Sequence, residues 1–127
     1  MTSMKGVLAG VLAVALATPL LAEKPRRSVM VGGSTSQKAC PSTAKVKGSL
    51  IVRTAPGSSE SKIDTLADGH IVNYCEATSD GRWVGIVYQE ASKKDRYWDC
   101  QVSSPGLHRP YNGPCRSGWV ERSQLAK

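Results

Sequence analysis

Four cysteines, two histidines and a few carboxylates are the residues of this chain reactive enough to do chemistry, and their spacing decides which kind. The cysteines are Cys40, Cys75, Cys100 and Cys115. A metal site wants thiolates close together, as in a C-x2-C pair, whereas here the nearest two cysteines have fourteen residues between them. His70 and His108 stand apart from every cysteine. No metal and no cofactor is therefore expected. An even cysteine count in a small chain points instead to two disulfides, because oxidising compartments keep thiols paired and small cores need bracing. A Cys100–Cys115 bond would close a loop of roughly 15 residues, worth about 3 kcal/mol by the chain-entropy argument. Favouring it leaves Cys40–Cys75, although four cysteines allow three connectivities and spacing does not choose between them.

Hydrolysis or group transfer needs a nucleophile with its base, paired carboxylates, or a metal. Serines and threonines are plentiful but sit in turn-like contexts, without a nucleophile elbow. His70 opens a strand and His108 lies in an irregular stretch, neither with an obvious orienting acid. Asp95 and Asp99 are four apart on a segment with no helical period, so that spacing fixes no geometry. The expectation is a protein that is not an enzyme. Binding is the remaining class, and its candidates are Arg96, Tyr97, Trp98, His108, Arg109 and Tyr111, gathered where burial is hard to arrange. An aromatic ring beside a cation can grip a peptide or a sugar face while meeting anionic groups. Equally, Trp98 and Tyr111 could fold back as a small satellite core, and both readings stand at this point. Trp83 and Trp119 sit in strand-like motifs and read as core or groove floor.

The elements that must position these residues begin after a processing signal. Residues 1–22 comprise a short segment with one Lys, then an uncharged Ala/Leu/Val run that ends at Glu23-Lys24-Pro25-Arg26-Arg27. This is the pattern of a secretory leader, and the run is shorter than the roughly 20 apolar residues of a membrane span. Cleavage is expected after Ala22, with Ala17 as second choice, giving a periplasmic or secreted product with no stable membrane insertion. The chain of 127 residues carries 17 Lys and Arg against 10 Asp and Glu, a net charge of +7; losing Lys5 with the leader leaves +6. The cations are scattered rather than set in a stripe interleaved with aromatics, so a nucleic-acid partner is not expected.

Residues 23–43 are rich in Gly, Ser, Lys, Arg and Gln and read as a flexible lead-in. From 44 to 127 the texture is short β-branched runs separated by turn residues, as in all-β domains. Strands are expected at Ala44–Lys47, Leu50–Arg53, His70–Glu76, Arg82–Gln89 and Cys115–Glu121. Ile63 and Leu66 are expected to point back into the core, and Ser79-Asp80-Gly81 has the chemistry of a tight hairpin. Residues 90–114 lack a pattern, and a loop this long in so small a domain often carries function.

Three segments in order resemble the bacterial SH3 (SH3b) family. Leu50-Ile51-Val52-Arg53-Thr54-Ala55-Pro56 is similar to the family's "LNVRSGP" strand and turn. Ile63-Asp64-Thr65-Leu66-Ala67-Asp68-Gly69 is similar to its "x-G-x-L-x-x-G" stretch. Asp80-Gly81-Arg82-Trp83-Val84, with Ser117-Gly118-Trp119-Val120 and Ser123-Gln124-Leu125, is similar to its closing motifs. Ala55 departs from the usual Gly, and Arg82 is an extra residue before Trp83. The insert and the four cysteines resemble a secreted subgroup in which Cys100 to Val120 forms a unit.

The resemblance implies a small, partly open SH3-like barrel of about five strands with a long disulfide-braced insert. It also implies a groove between the long loop after the second strand and a later loop, floored by aromatics. The function it implies is a non-catalytic module recognising peptidoglycan or an envelope peptide. The alternative is an interaction or inhibitor module docking on an envelope protein such as a cell-wall hydrolase.

Overall fold

A strand with no polar position along six residues needs two faces to bury against, and the computed structural model supplies both for the central strand, Trp83–Tyr88. The structure describes residues 25–33, 38–90 and 99–126. Nine strands run in chain order: β1 (Met30–Val31), β2 (Ser42–Val46), β3 (Leu50–Arg53), β4 (Lys62–Leu66), β5 (Ile71–Ala77), β6 (Trp83–Tyr88), β7 (Arg109–Pro110), β8 (Arg116–Glu121) and β9 (Leu125–Ala126). A 3-10 turn, Arg122–Gln124, joins the last two. Seven strands form one antiparallel sheet in the order β4-β3-β8-β6-β5-β2-β9, and β1 pairs with β7 in a second, two-stranded sheet. The class is all-β as expected, and the large sheet is open at β4 and β9 rather than closed into a barrel. The five strands read from the sequence all form, within two residues at each end; β1, β4, β7 and β9 are additional.

Hydrogen bonding at the β5–β6 connection shows how local sequence sets register. Gly81 takes φ +72, which costs a residue without Cβ little. The Asp80 carboxylate accepts from the Thr78 hydroxyl and from the Arg82 amide, and these two bonds hold its pKa below the ordinary 3.8. The Thr78 amide donates to the Trp83 carbonyl at 2.9 Å. The expected hairpin is thus present, with Thr78–Arg82 as its loop.

On one face, β6 sends Val84, Ile86 and Tyr88 into a core with Ala44, Val46, Leu50, Val52, Leu66, Val72 and Val120. Ile63 packs partly against that core, and Leu66 is within it, as read from the sequence. On the other face, Trp83 meets Val29 and Trp119, and Val87 meets Val31, Ala39, Cys40, Cys100 and Val102. All six residues of β6 are buried as a result.

The second face is covered by residues expected to be a flexible lead-in, and this is corrected here. Val29 and Val31 are each 1 % exposed, and burying a Val side chain contributes roughly 1.5–3 kcal/mol. Residues 25–33 form an extended strap along the sheet, while Ser42 and Thr43 already belong to β2. The strap and the described part of the insert hold one another. Tyr111 N–H donates to Val29 O at 2.9 Å, Gly33 N–H to Gly106 O at 2.8 Å, and Cys40 N–H to Val102 O at 3.2 Å. Gly85 seats the strap, since a Cβ there would lie 3.0 Å from a Val29 methyl and 2.9 Å from Glu76 Cγ. Two disulfides, Cys40–Cys75 and Cys100–Cys115, fasten this cover, in the favoured pairing.

Candidate functional site

Of the residues nominated from the sequence, the structure describes His108, Arg109 and Tyr111. Arg96, Tyr97 and Trp98 lie outside the described residues. His108 is exposed beside Gly33, and half-buried Arg109 donates from Nη1 to Leu107 O at 2.9 Å. Tyr111 faces elsewhere. Its hydroxyl donates to Cys100 O and accepts from Cys115 N–H, both at 2.9 Å. Burial raises the phenol's pKa, and the Cys115 amide partly offsets this. Donor and acceptor are both spent bracing the disulfide loop, so of the two readings of Tyr111 the satellite core is the one found.

Trp83 and Trp119 are buried, at 7 % and 0 % exposure. The chain's own residues cover this aromatic face. Trp119 Nε1 donates to Arg27 O at 2.9 Å, and the Arg27 guanidinium stands 4.8 Å over the indole centroid. Arg27 N–H donates to Thr54 O at 3.0 Å, tying the strap to the loop after β3. An aromatic floor exists, but the strap fills the space above it.

The open concavity is on the other side of the insert. A groove of about 1060 Å³ runs beside the beginnings of β2 and β5, with Lys38, Thr43, Asp68, His70, Ile71 and Asn73 along its walls. Ile71 is 59 % exposed, the outward residue of an alternating strand whose neighbour Val72 is core. The polar groups around it are held in place. His70 Nε2 lies 3.1 Å from Gln89 O; a carbonyl only accepts, so Nε2 carries the hydrogen. Asn73, which also lines the groove, donates from Nδ2 to Val87 O at 3.1 Å. Asp68 accepts from Gly48 N–H and Asp99 from Gln101 N–H, both at 2.8 Å. Among the described residues no strand pairs with the outer edge of β2 before Lys45.

Such a groove can hold an extended chain: one apolar contact, fixed donors and acceptors, and a strand edge at the side. Among the described residues no three His, Cys, Asp or Glu side chains gather as metal ligands, and no cysteine is free. The two disulfides fit an oxidising, extracytoplasmic compartment. Among the described residues no helix is long and apolar enough to cross a membrane.

The arrangement defines a class: a small disulfide-braced all-β domain with a sealed aromatic floor and an open groove beside it. No family model, curated protein or solved structure matches the chain. Sequence reasoning missed Ile71 and Asn73 as groove residues. The signal was present in the strand alternation, where an exposed Ile follows His70, but the opposing wall comes from segments about 30 residues away on either side.

Proposed function

We propose that this protein is an exported, non-catalytic binding module that holds a peptide of the cell envelope, the peptide of peptidoglycan foremost, in the groove beside β2 and β5. The observation that carries the reading is Ile71, a large aliphatic side chain left 59 % exposed in an open groove of about 1060 Å³. Two further features support it. Residues 1–22 have the pattern of a secretory leader, and the resemblance to bacterial SH3 domains implies a cell-wall ligand.

The test is co-sedimentation of the oxidised protein with purified sacculi at low and high salt. Wild type is expected to be retained at both, and Ile71→Asp to be lost from the pellet with its thermal midpoint nearly unchanged. Retention that disappears with salt, or that Ile71→Asp leaves intact, would refute the groove. Failure to sediment, with stoichiometric recovery of one envelope protein instead, would favour a protein partner such as a cell-wall hydrolase.

A further inference from the structure

Three turns that are distant in sequence meet at one end of the large sheet, and each brings a cation. Lys47 follows β2, Arg82 ends the β5–β6 loop, and Arg122 opens the 3-10 turn. Backbone hydrogen bonds fix their separation. Arg122 N–H donates to Arg82 O at 2.9 Å, and Lys47 N–H donates to Gln124 O at 2.9 Å. The Arg122 guanidinium reaches the Gly81 turn, with Nη1 in van der Waals range of it. Between the three lies a cleft of about 640 Å³, which Tyr74, Leu125 and Ser123 also line.

Charge in this cleft is unbalanced. Glu121 is the one acid among its lining residues, and it pairs with Arg82 at 3.5 Å. The nearby Asp80 carboxylate is engaged by Thr78 and the Arg82 amide. Neither Lys47 nor Arg122 forms an ion pair with a described residue. Tyr74 and Leu125 are half-buried and pack against the main core, so the cleft joins an apolar floor to the Ser123 hydroxyl and to two cations without an ion-pair partner among the described residues. A guanidinium recognises the planar or tetrahedral oxygens of an oxyanion through paired N–H donors. An ammonium nearby adds a point charge, and an apolar floor suits the carbon skeleton of the same ligand.

We infer that this cleft is a second binding site, separate from the groove beside β2 and β5, and that it takes a phosphorylated sugar through Lys47, Arg122 and Ser123. The extra residue Arg82 has a direct part in it: its carbonyl anchors the 3-10 turn, and its guanidinium occupies Glu121, which would otherwise repel the phosphate.

The experiment is a titration of the isotopically labelled, oxidised protein with glucose 6-phosphate, glucose and inorganic phosphate, read by amide chemical shifts. Glucose 6-phosphate is expected to move the amides of Lys47, Arg82, Arg122 and Ser123 in a saturable way. Glucose should move none of them, and inorganic phosphate should bind more weakly than the sugar phosphate. Arg122→Gln and Lys47→Gln should each weaken binding about tenfold, the loss of one charge-assisted hydrogen bond. Lys62→Gln, on the far edge strand β4, should change nothing. Shifts spread without saturation over Lys45, Arg53 and Lys62 would overturn the site, as would undiminished affinity in both Gln variants. Equal affinity for inorganic phosphate and glucose 6-phosphate would overturn the sugar.

Discussion

The two ends of the outer face of β5 and β6 carry opposite solutions to the same problem. Toward the strap, large apolar residues are sealed: Trp83, Trp119 and Val29 close on one another, and Arg27 lies over the last ring. Toward the groove, Ile71 stands open although it is as apolar as any of them. The sealed side needed a cover recruited from both before and after the strands it protects, fastened by two disulfides. The open side has no such cover among the described residues. A small domain with limited core invests its covalent bracing where burial must be completed.

That contrast can be broken most forcefully at the disulfides. Replacing Cys40 and Cys75 by Ser removes a bond with a sequence separation of 35, for which the chain-entropy argument gives about 4 kcal/mol. Replacing Cys100 and Cys115, separated by 15, gives about 3 kcal/mol. Urea denaturation of both double variants should reproduce that order. A negligible loss in either would show that the cover is held by packing alone.

A milder intervention loosens the strap without touching a bond. Val29→Ala is expected to cost about 2 kcal/mol and to shift tryptophan emission to the red, as water reaches Trp83 and Trp119. Unchanged emission with full stability would mean that the strap is not what seals the aromatic face.

The smallest effect comes from Glu76, where the strap crosses a charge. Burial raises its pKa above the ordinary 4.5, while the Met30 amide, Arg27 and His108 pull it back. Because the folded-state value is raised, the folded protein holds the proton more tightly than the unfolded chain. The stability gained from that proton is fully present below 4.5 and is lost as pH rises through the folded value. Glu76→Gln should therefore have the higher thermal midpoint at neutral pH, with the advantage shrinking as pH falls through the folded value and gone below 4.5. A constant difference across that range would assign Glu76 no part in the pH dependence.

Much of the fold was legible because it rests on local signals. Val84, Ile86 and Tyr88 alternate, Asp80-Gly81 marks its own turn, and the short Cys100–Cys115 loop favours its own closure. The strap was not legible. Val29 and Val31 form an apolar pattern of three residues with Met30, too short to show a period, amid Arg, Gly and Ser. Their burial depends on Gly85 and Trp119, 56 and 90 positions further along, and nothing local encodes that meeting. Tyr111 was left between two readings for a related reason. An aromatic in an irregular stretch suggests exposure, and only the geometry of Cys100 and Cys115 reveals that its hydroxyl is already engaged.

The disulfide pairing has a consequence for biogenesis. Each cysteine is bonded to the next one along the chain, first to second and third to fourth. A polypeptide that emerges from its N-terminus presents Cys75 as the only available partner for Cys40, and Cys100 then waits for Cys115. An oxidant acting on thiols in order of appearance would make the native bonds at the first attempt, with no reshuffling step.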